Sequence, residues 1–230
     1  MSDGHVLDRP AWHSLIGPLS HLARREGSAA MFDPELSPFA GTAGDSEQDW
    51  ADLRRLVGPK GNAILAGSPL PTPGDLRVPF RVTGYQMVAD GWTGDPDPDV
   101  LELGAGDAAE MLDLADRTKP GPFLLRTREL GRYVGFRREG QLIAMAGERM
   151  HPPGYTEVSA VCTDDEFRGR GFAERLVRTI CAGIVARGET PILHVAGTNT
   201  GAIRLYERMG FAIRREIEFV GFVVPAARRP

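Results

Sequence analysis

The chain has 230 residues, 42% of them hydrophobic and 25% charged, and 27 basic against 31 acidic residues leave a net charge of −4. That composition belongs to an ordinary globular chain of one large or two small domains. Two cysteines, Cys162 and Cys181, are too few for a disulfide framework or a four-thiolate zinc site and point to a reducing compartment. No apolar run approaches the ~20 residues needed to span a bilayer. The opening residues MSDGHVLDRPAW have neither the basic nor the apolar region of a secretion leader, so a cytoplasmic protein is expected.

Charge divides the chain unevenly. Residues 1–110 hold 8 basic and 17 acidic residues, a net −9, whereas 111–230 hold 19 and 14, a net +5. The basic half suits a small polyanionic ligand, because no basic cluster with interleaved aromatics appears; neither nucleic acid nor a membrane is an expected partner, and oligomeric state is not legible. The acidity of the first half either borders a binding cleft and draws in a cation or docks that half on the basic one.

In chain order, helical patterns run over 12–25 and 48–57, with short apolar strands at 63–65 and 85–88. Six prolines (Pro69, Pro71, Pro73, Pro79, Pro96 and Pro98) and the turn-rich stretch 90–99 predict a loosely built first lobe over 1–90 and an exposed connector over 91–99. A second domain over 100–230 reads more clearly. It opens with a strand at 100–103, a helix at 108–117 and two strands, 132–138 and 141–149, joined by the two-residue turn Glu139-Gly140. A strand at 155–162 precedes an amphipathic helix in which Phe172, Leu176, Ile180 and Ile184 recur every four residues, with Gly188 as its stop. A strand at 192–196, a helix capped by Asn199 and stopped by Gly210, and strands through 211–224 complete an α/β or α+β domain built on a mixed sheet.

The segment Arg168-Gly-Arg-Gly-Phe-Ala173 sits between a strand and the amphipathic helix. Glycines there turn the chain tightly, unpaired first-turn N–H groups face outward, and small residues let a pyrophosphate approach the main chain. The motif is neither GxxxxGK[ST] nor GxGxxG, which argues against a triphosphatase or a dinucleotide site. A second cluster follows 31 residues on: Asn199-Thr-Gly-Ala-Ile-Arg-Leu-Tyr-Glu-Arg-Met-Gly-Phe211.

Together the two clusters resemble the GNAT superfamily of acyl-CoA-dependent N-acyltransferases, over about residues 100–224. Arg168, Gly171 and Ala173 match that family's pyrophosphate turn, and Asn199, Ala202, Leu205, Tyr206, Gly210 and Phe211 its second signature. The resemblance implies a mixed, mainly antiparallel sheet flanked by helices, with a smaller divergent N-terminal lobe. It also implies acetyl-CoA as co-substrate, no metal, and a small-molecule or peptide amine as acceptor, attacked directly in a ternary complex. By position it lays the pantetheine along the main chain of Val161, Cys162 and Thr163 and the pyrophosphate on Arg168, Gly169, Arg170, Gly171, Phe172 and Ala173, with Asn199 and Tyr206 also at the cofactor. Asp165 stands where the family usually has proline. Tyr206 is expected to protonate the departing thiolate; its competing role is a core tyrosine beside Leu205 and Met209. An alkylamine of pKa ~10.4 must lose a proton before it attacks, and Glu157 is expected as the base, or else as half of an ion pair, according to the face on which it falls.

Rival readings rest on thinner signals. Val100-Leu-Glu-Leu-Gly-Ala-Gly-Asp107 resembles the first motif of S-adenosylmethionine-dependent methyltransferases, but no acidic strand end follows about 20 residues later. Cys162 with His194 would make an acyl-enzyme pair. A catalytically silent acyl-CoA sensor is the third. His5, His13, His21 and His151 lack metal-ligand spacing, and Cys181 continues the apolar helix face.

Overall fold

Gly17 ends the first helix sooner than its apolar pattern does: α1 spans Pro10–Ile16, and Pro18 follows before the chain turns into a strand. The structure is a computed structural model that describes residues 4–68, 70 and 72–226; Pro69 and Pro71, two of the six prolines named above, lie outside the described residues. Three short strands, β1 (Ala23–Glu26), β2 (Ala29–Phe32) and β3 (Ala40–Thr42), make an antiparallel sheet that hydrophobic patterning alone did not reveal. The next helix, α2 (Glu47–Val57), is opened by a reciprocal cap in which Ser46 accepts from the Asp49 N–H and the Asp49 carboxylate accepts from the Ser46 N–H.

The other strands among the described residues join one eight-stranded sheet. They are β4 (Asn62–Gly67), β5 (Arg77–Val88), β6 (Leu101–Leu103), β7 (Tyr133–Arg138), β8 (Gln141–Glu148), β9 (Tyr155–Thr163), β10 (Thr190–Ala196) and β11 (Ala212–Val223), in the order β4-β11-β5-β10-β9-β8-β7-β6. Only β9 and β10 run parallel among its neighbours. The turn between β7 and β8 has Glu139 at φ 50° and Gly140 at φ 84°, as a two-residue hairpin requires. Helix α4 (Phe172–Ala186) covers one face through Val134, Phe136, Ala144, Ala146, Val158 and Leu193, while α3 (Ala108–Thr118) covers the other through Tyr133, Met145 and Cys162. Helix α5 (Thr200–Arg208) lies beside α4, with Tyr206 in the same core cluster.

The boundary expected at 91–99 does not divide the sheet. Strand β5, from the first ninety residues, inserts between β10 and β11, pairing Gly84 through Val88 with one and most of its length with the other. Phe222 and Val220 of β11 then share a core with Trp50 and Leu53 of α2. Long-range strand pairing overrides the local change in composition. Part of the acidity of the first half pairs with arginines of the second: Asp8 binds Arg214 and Arg215, Glu35 binds Arg126, Glu102 binds Arg132, and Asp107 and Glu110 bind Arg137.

The methyltransferase-like segment makes an edge strand antiparallel to β7, and the Asp107 carboxylate accepts from the Gly104 N–H at 2.7 Å, closing the turn on itself. No helix among the described residues is long and apolar enough to cross a membrane.

Candidate active site

Strands β9 and β10 part company halfway along. Their pairing runs from Thr190↔Tyr155 to Leu193↔Val158 and stops there. The cause lies on the other side of β9: its register with β8 slips between Gly147↔Ser159 and Met145↔Cys162, and Ala160 takes the left-handed conformation at φ 52°. That bulge bends β9 away from β10. From Ser159 to Thr163 its main chain is held by β8 on one edge and by no strand on the other, so backbone donors and acceptors face a gap.

The gap leads to the glycine turn. Gly169 (φ 74°) and Gly171 (φ 80°) both occupy the left-handed region, and a Cβ at either would meet nothing within 4 Å, so conformation and not space demands glycine. The first helical hydrogen bond of α4 runs from the Arg175 N–H to the Gly171 carbonyl at 3.2 Å, and no side chain caps the helix, which leaves the N–H groups of Phe172, Ala173 and Glu174 for an outside acceptor. Asp165, in place of the family's proline, pairs with Arg168 at 2.7 Å, and Arg168 Nε donates to the Thr163 carbonyl at 3.3 Å; these contacts brace the turn.

A cavity of about 730 Å³ connects fork and turn. Val161, Cys162 and Thr163 form its floor, Arg168, Gly169, Gly171, Phe172 and Ala173 one wall, and Asn199, Ala202, Leu205 and Tyr206 of the α5 region the other. Thr118, Lys119 and Pro120, at the end of α3, complete the lining and had no signal in the sequence beyond a helix terminus. Asn199 caps α5 by accepting from the Ala202 N–H at 3.1 Å, so its cap role and its place on the wall coexist. Arg170 is the exception in its segment: its guanidinium lies over the Phe167 ring and donates to the Glu166 carbonyl at 3.1 Å, away from the cavity.

Tyr206 is 8% exposed and lines the cavity, and none of the hydrogen bonds among the described residues involves its hydroxyl. Burial pushes its phenol up to about 12, so it holds its proton at neutral pH. Cys162 is also buried, and its thiol is pushed up to about 11 chiefly by desolvation. The pairing of Cys162 with His194 does not form. His194 Nδ1 faces Glu157 Oε1 at 2.7 Å and its Nε2 faces Gln86 Nε2 at 3.0 Å.

Glu157 is found in the ion-pair arrangement, the alternative to a base. It lies on the face of β9 turned away from α4, fully buried, and is not on the cavity wall. Arg149 grips its carboxylate with two bonds, Nε to Oε2 at 2.9 Å and Nη2 to Oε1 at 2.6 Å, and His194 adds a third. Burial alone would raise this carboxyl; the Arg149 charge beside it wins and holds it far below the ordinary carboxylate range. In the structure this carboxylate is half of a buried ion pair and lies off the cavity lining. Among the described residues no group of three or more His, Cys, Asp or Glu side chains is placed to hold a metal ion.

Fold and cleft define the class: a mixed sheet forked between two parallel strands, with an uncapped helix turn at the mouth of the fork. The FR47-like protein family model matches residues 133–220. A crystal structure from Novosphingobium aromaticivorans, assigned to the GNAT family of acetyltransferases, is 41% identical, covers 97% of this chain and 100% of its own, and superposes with a TM-score of 0.89. N-alpha-acetyltransferase RimI of Mycobacterium tuberculosis is 36% identical over 99 residues, 40% of this chain and 61% of that protein. Mycothiol acetyltransferase of Mycobacteroides abscessus is 32% identical over 162 residues, 70% of this chain and 45% of that protein. The chain therefore spans about half of each of these two curated relatives. It belongs to the GNAT family.

Proposed function

We propose that this chain transfers an acetyl group from acetyl-CoA directly to the primary amine of a peptide or small molecule, in a ternary complex. The observation that carries the reading is the cavity itself. It joins, within one lining, an open strand edge able to pair with the amides of a pantetheine arm, a helix turn with three unsatisfied N–H groups for a pyrophosphate, and an unpartnered phenol.

The roles follow from what each group has free. The main chain of Val161, Cys162 and Thr163 extends the sheet with the thioester arm as a short additional strand. Gly169, Gly171 and the N–H groups of Phe172 and Ala173 hold the pyrophosphate, with Arg168 bracing the loop. The amine attacks the thioester carbonyl, the C–S bond breaks, and Tyr206 donates its proton to the sulfur. A phenol near 12 is a reluctant acid for a thiolate in water, but loss of water raises thiols as it raises phenols. Donor and acceptor are thus brought close by the same desolvation. The amine loses its proton to water in the open cavity, since the one carboxylate on its lining, Glu174, is engaged by Arg178 at 3.1 Å.

One relative is named for N-alpha acetylation and another for mycothiol, so acceptors of different size are at home on similar chains. The two cysteines, both free and buried, suit a reducing cytoplasm. The test is thiol release from acetyl-CoA over a panel of peptide N-termini, amino acids, polyamines and amino sugars. Turnover with any of them supports the reading, and binding of acetyl-CoA with no turnover across the panel favours the silent sensor. Gly171→Val addresses the cradle separately: a β-branched residue does not tolerate φ 80°, so the turn must rearrange. Titration calorimetry is expected to show CoA affinity reduced by about tenfold or more while the thermal midpoint falls only slightly. Unchanged affinity in the folded variant removes the phosphate assignment.

A further inference from the structure

Strand β5 outruns its neighbour. It pairs with β10 only from Gly84, opposite Ala196, to Val88, and residues 77–83 continue along β11 alone. The Gly197 N–H donates to the Thr83 carbonyl at 3.1 Å, so the main chain of Thr83 faces the line of β10. Strand alternation turns Arg81 the same way. Beyond Gly197 no strand among the described residues follows that line, because the chain turns into α5. The Thr83 N–H and both main-chain groups of Arg81 are left without a partner among the described residues.

One face of this free length is apolar. Across β11, Val82 stands opposite Phe219 and Phe80 opposite Gly221, and both are 41% exposed. Val78 follows past a register shift at 37%. A Cβ on Gly221 would come within 2.3 Å of the Phe80 ring, so glycine there lets the ring lie across β11. Phe219 meets the His194 ring edge-on at 5.8 Å, which puts Val82 and Phe80 on the sheet face of Glu157, opposite α4. Two free edges, 159–163 of β9 and 77–83 of β5, thus flank the end of β10 at the fork.

We propose that the β5 edge seats the acceptor, and that the acceptor is the N-terminal end of an extended peptide with apolar side chains at alternate positions. The inference rests on the acyltransferase reading: the cofactor arm takes the β9 edge, and the peptide takes the β5 edge as a short antiparallel strand that continues the line of β10. Gly197 closes that line on the fork side, so a chain end fits there, whereas an internal lysine with chain on both sides does not. Pro79 has no N–H to offer and a register shift follows it, which limits pairing to Arg81 and Thr83. Three apolar side chains and two main-chain residues suit a substrate that must leave; they fall short of the ~800 Å² per partner that a stable dimer buries. Arg77, exposed at the outer end with no carboxylate partner among the described residues, adds attraction for an acidic side chain further along the peptide.

The experiment measures thiol release from acetyl-CoA with hexapeptides of alanine and serine that carry leucine either at positions 2 and 4 or at 3 and 5, against the amide of the first residue alone. Only one of the two registers lays its leucines on the row, and that peptide should be used about 10- to 100-fold better than the amide in kcat/KM. N-methylation scanned over positions 2–4 should cost about tenfold at the amides that face β5 and little elsewhere. Phe80→Ser and Val82→Ser should raise the KM of the favoured peptide about tenfold while kcat, the KM for acetyl-CoA and use of the single-residue amide stay level. Both side chains stand at the surface, so these variants should melt near the wild type. Equal use of the peptides and the amide, or serine variants that leave the peptide KM unchanged, overturns this inference and leaves the acyltransferase reading standing. Preferential acetylation of an internal lysine in an N-terminally blocked peptide overturns it too, as does light scattering that shows a dimer dissociated by Phe80→Ser, which gives the row to a second copy. No thiol release with any amine overturns both.

Discussion

Replacing Tyr206 with phenylalanine is expected to lower kcat by roughly 10² to 10⁴, the usual worth of a positioned acid, while leaving the affinity for acetyl-CoA nearly unchanged. The substitution removes a single hydroxyl that makes no hydrogen bond among the described residues. Packing therefore predicts no loss of stability, since the ring keeps its edge contact with Phe211, 5.9 Å between centroids, and its place in the core around α4. Stability and activity part company here, which makes the result readable. A folded phenylalanine variant with full kcat would return Tyr206 to a packing role and pass the leaving thiolate's proton to water. The pH profile gives a second reading. A phenol near 12 stays protonated throughout the range in which such a chain is assayed, so no basic limb below that value belongs to it.

The second large effect is on stability. Glu157→Gln keeps the shape of the side chain but leaves the Arg149 guanidinium, itself buried, without its counter-charge. Breaking a buried pair from one side costs about 3–5 kcal/mol, which for a chain of this size lowers the melting temperature by on the order of 10 °C. The linkage sign is set by the direction of the shift. The folded carboxyl lies below its ordinary value of 4.5, so its contribution is complete above that pH and fades as pH falls below it. The gap in melting temperature between wild type and variant should therefore be level from neutral pH down to about 4.5 and narrow below. If Glu157 were the catalytic base, the variant would instead lose the acidic limb of its kcat/KM profile. Measured well below its melting point, that limb is expected to remain where the wild type has it.

Much of the candidate site was legible because its physics is local. A glycine turn ahead of an amphipathic helix has free N–H groups whatever surrounds it, and Arg168-Gly-Arg-Gly-Phe-Ala173 gained its reading as a pyrophosphate turn when joined to the second cluster at 199–211. Asn199 announced its own helix, whereas Tyr206 as an acid came only from the family resemblance. The two-residue turn at Glu139-Gly140, Gly188 and Gly210 likewise marked ends of elements that the structure reproduces to within a few residues. Conformation at each of these places is decided by neighbours a few positions away.

What the tertiary structure decided concerns faces, edges and pairings between distant segments. The sheet face of Glu157 turns on a single residue of register. Its partners Arg149 and His194 sit on the two flanking strand regions, and only their arrival beside it made a buried ion pair of a candidate base. The insertion of β5 between β10 and β11 joins residues more than 100 positions apart, so no local change in proline content or charge reports it. Part of the acidity of the first half met arginines of the second, and the stretch 91–99 is fastened to α4 because Arg175 reaches across to Asp97 and Asp99. In each case the deciding energy comes from a group far away in the chain. A sequence displays the groups that have an unmet need, and only the fold says which other group meets it.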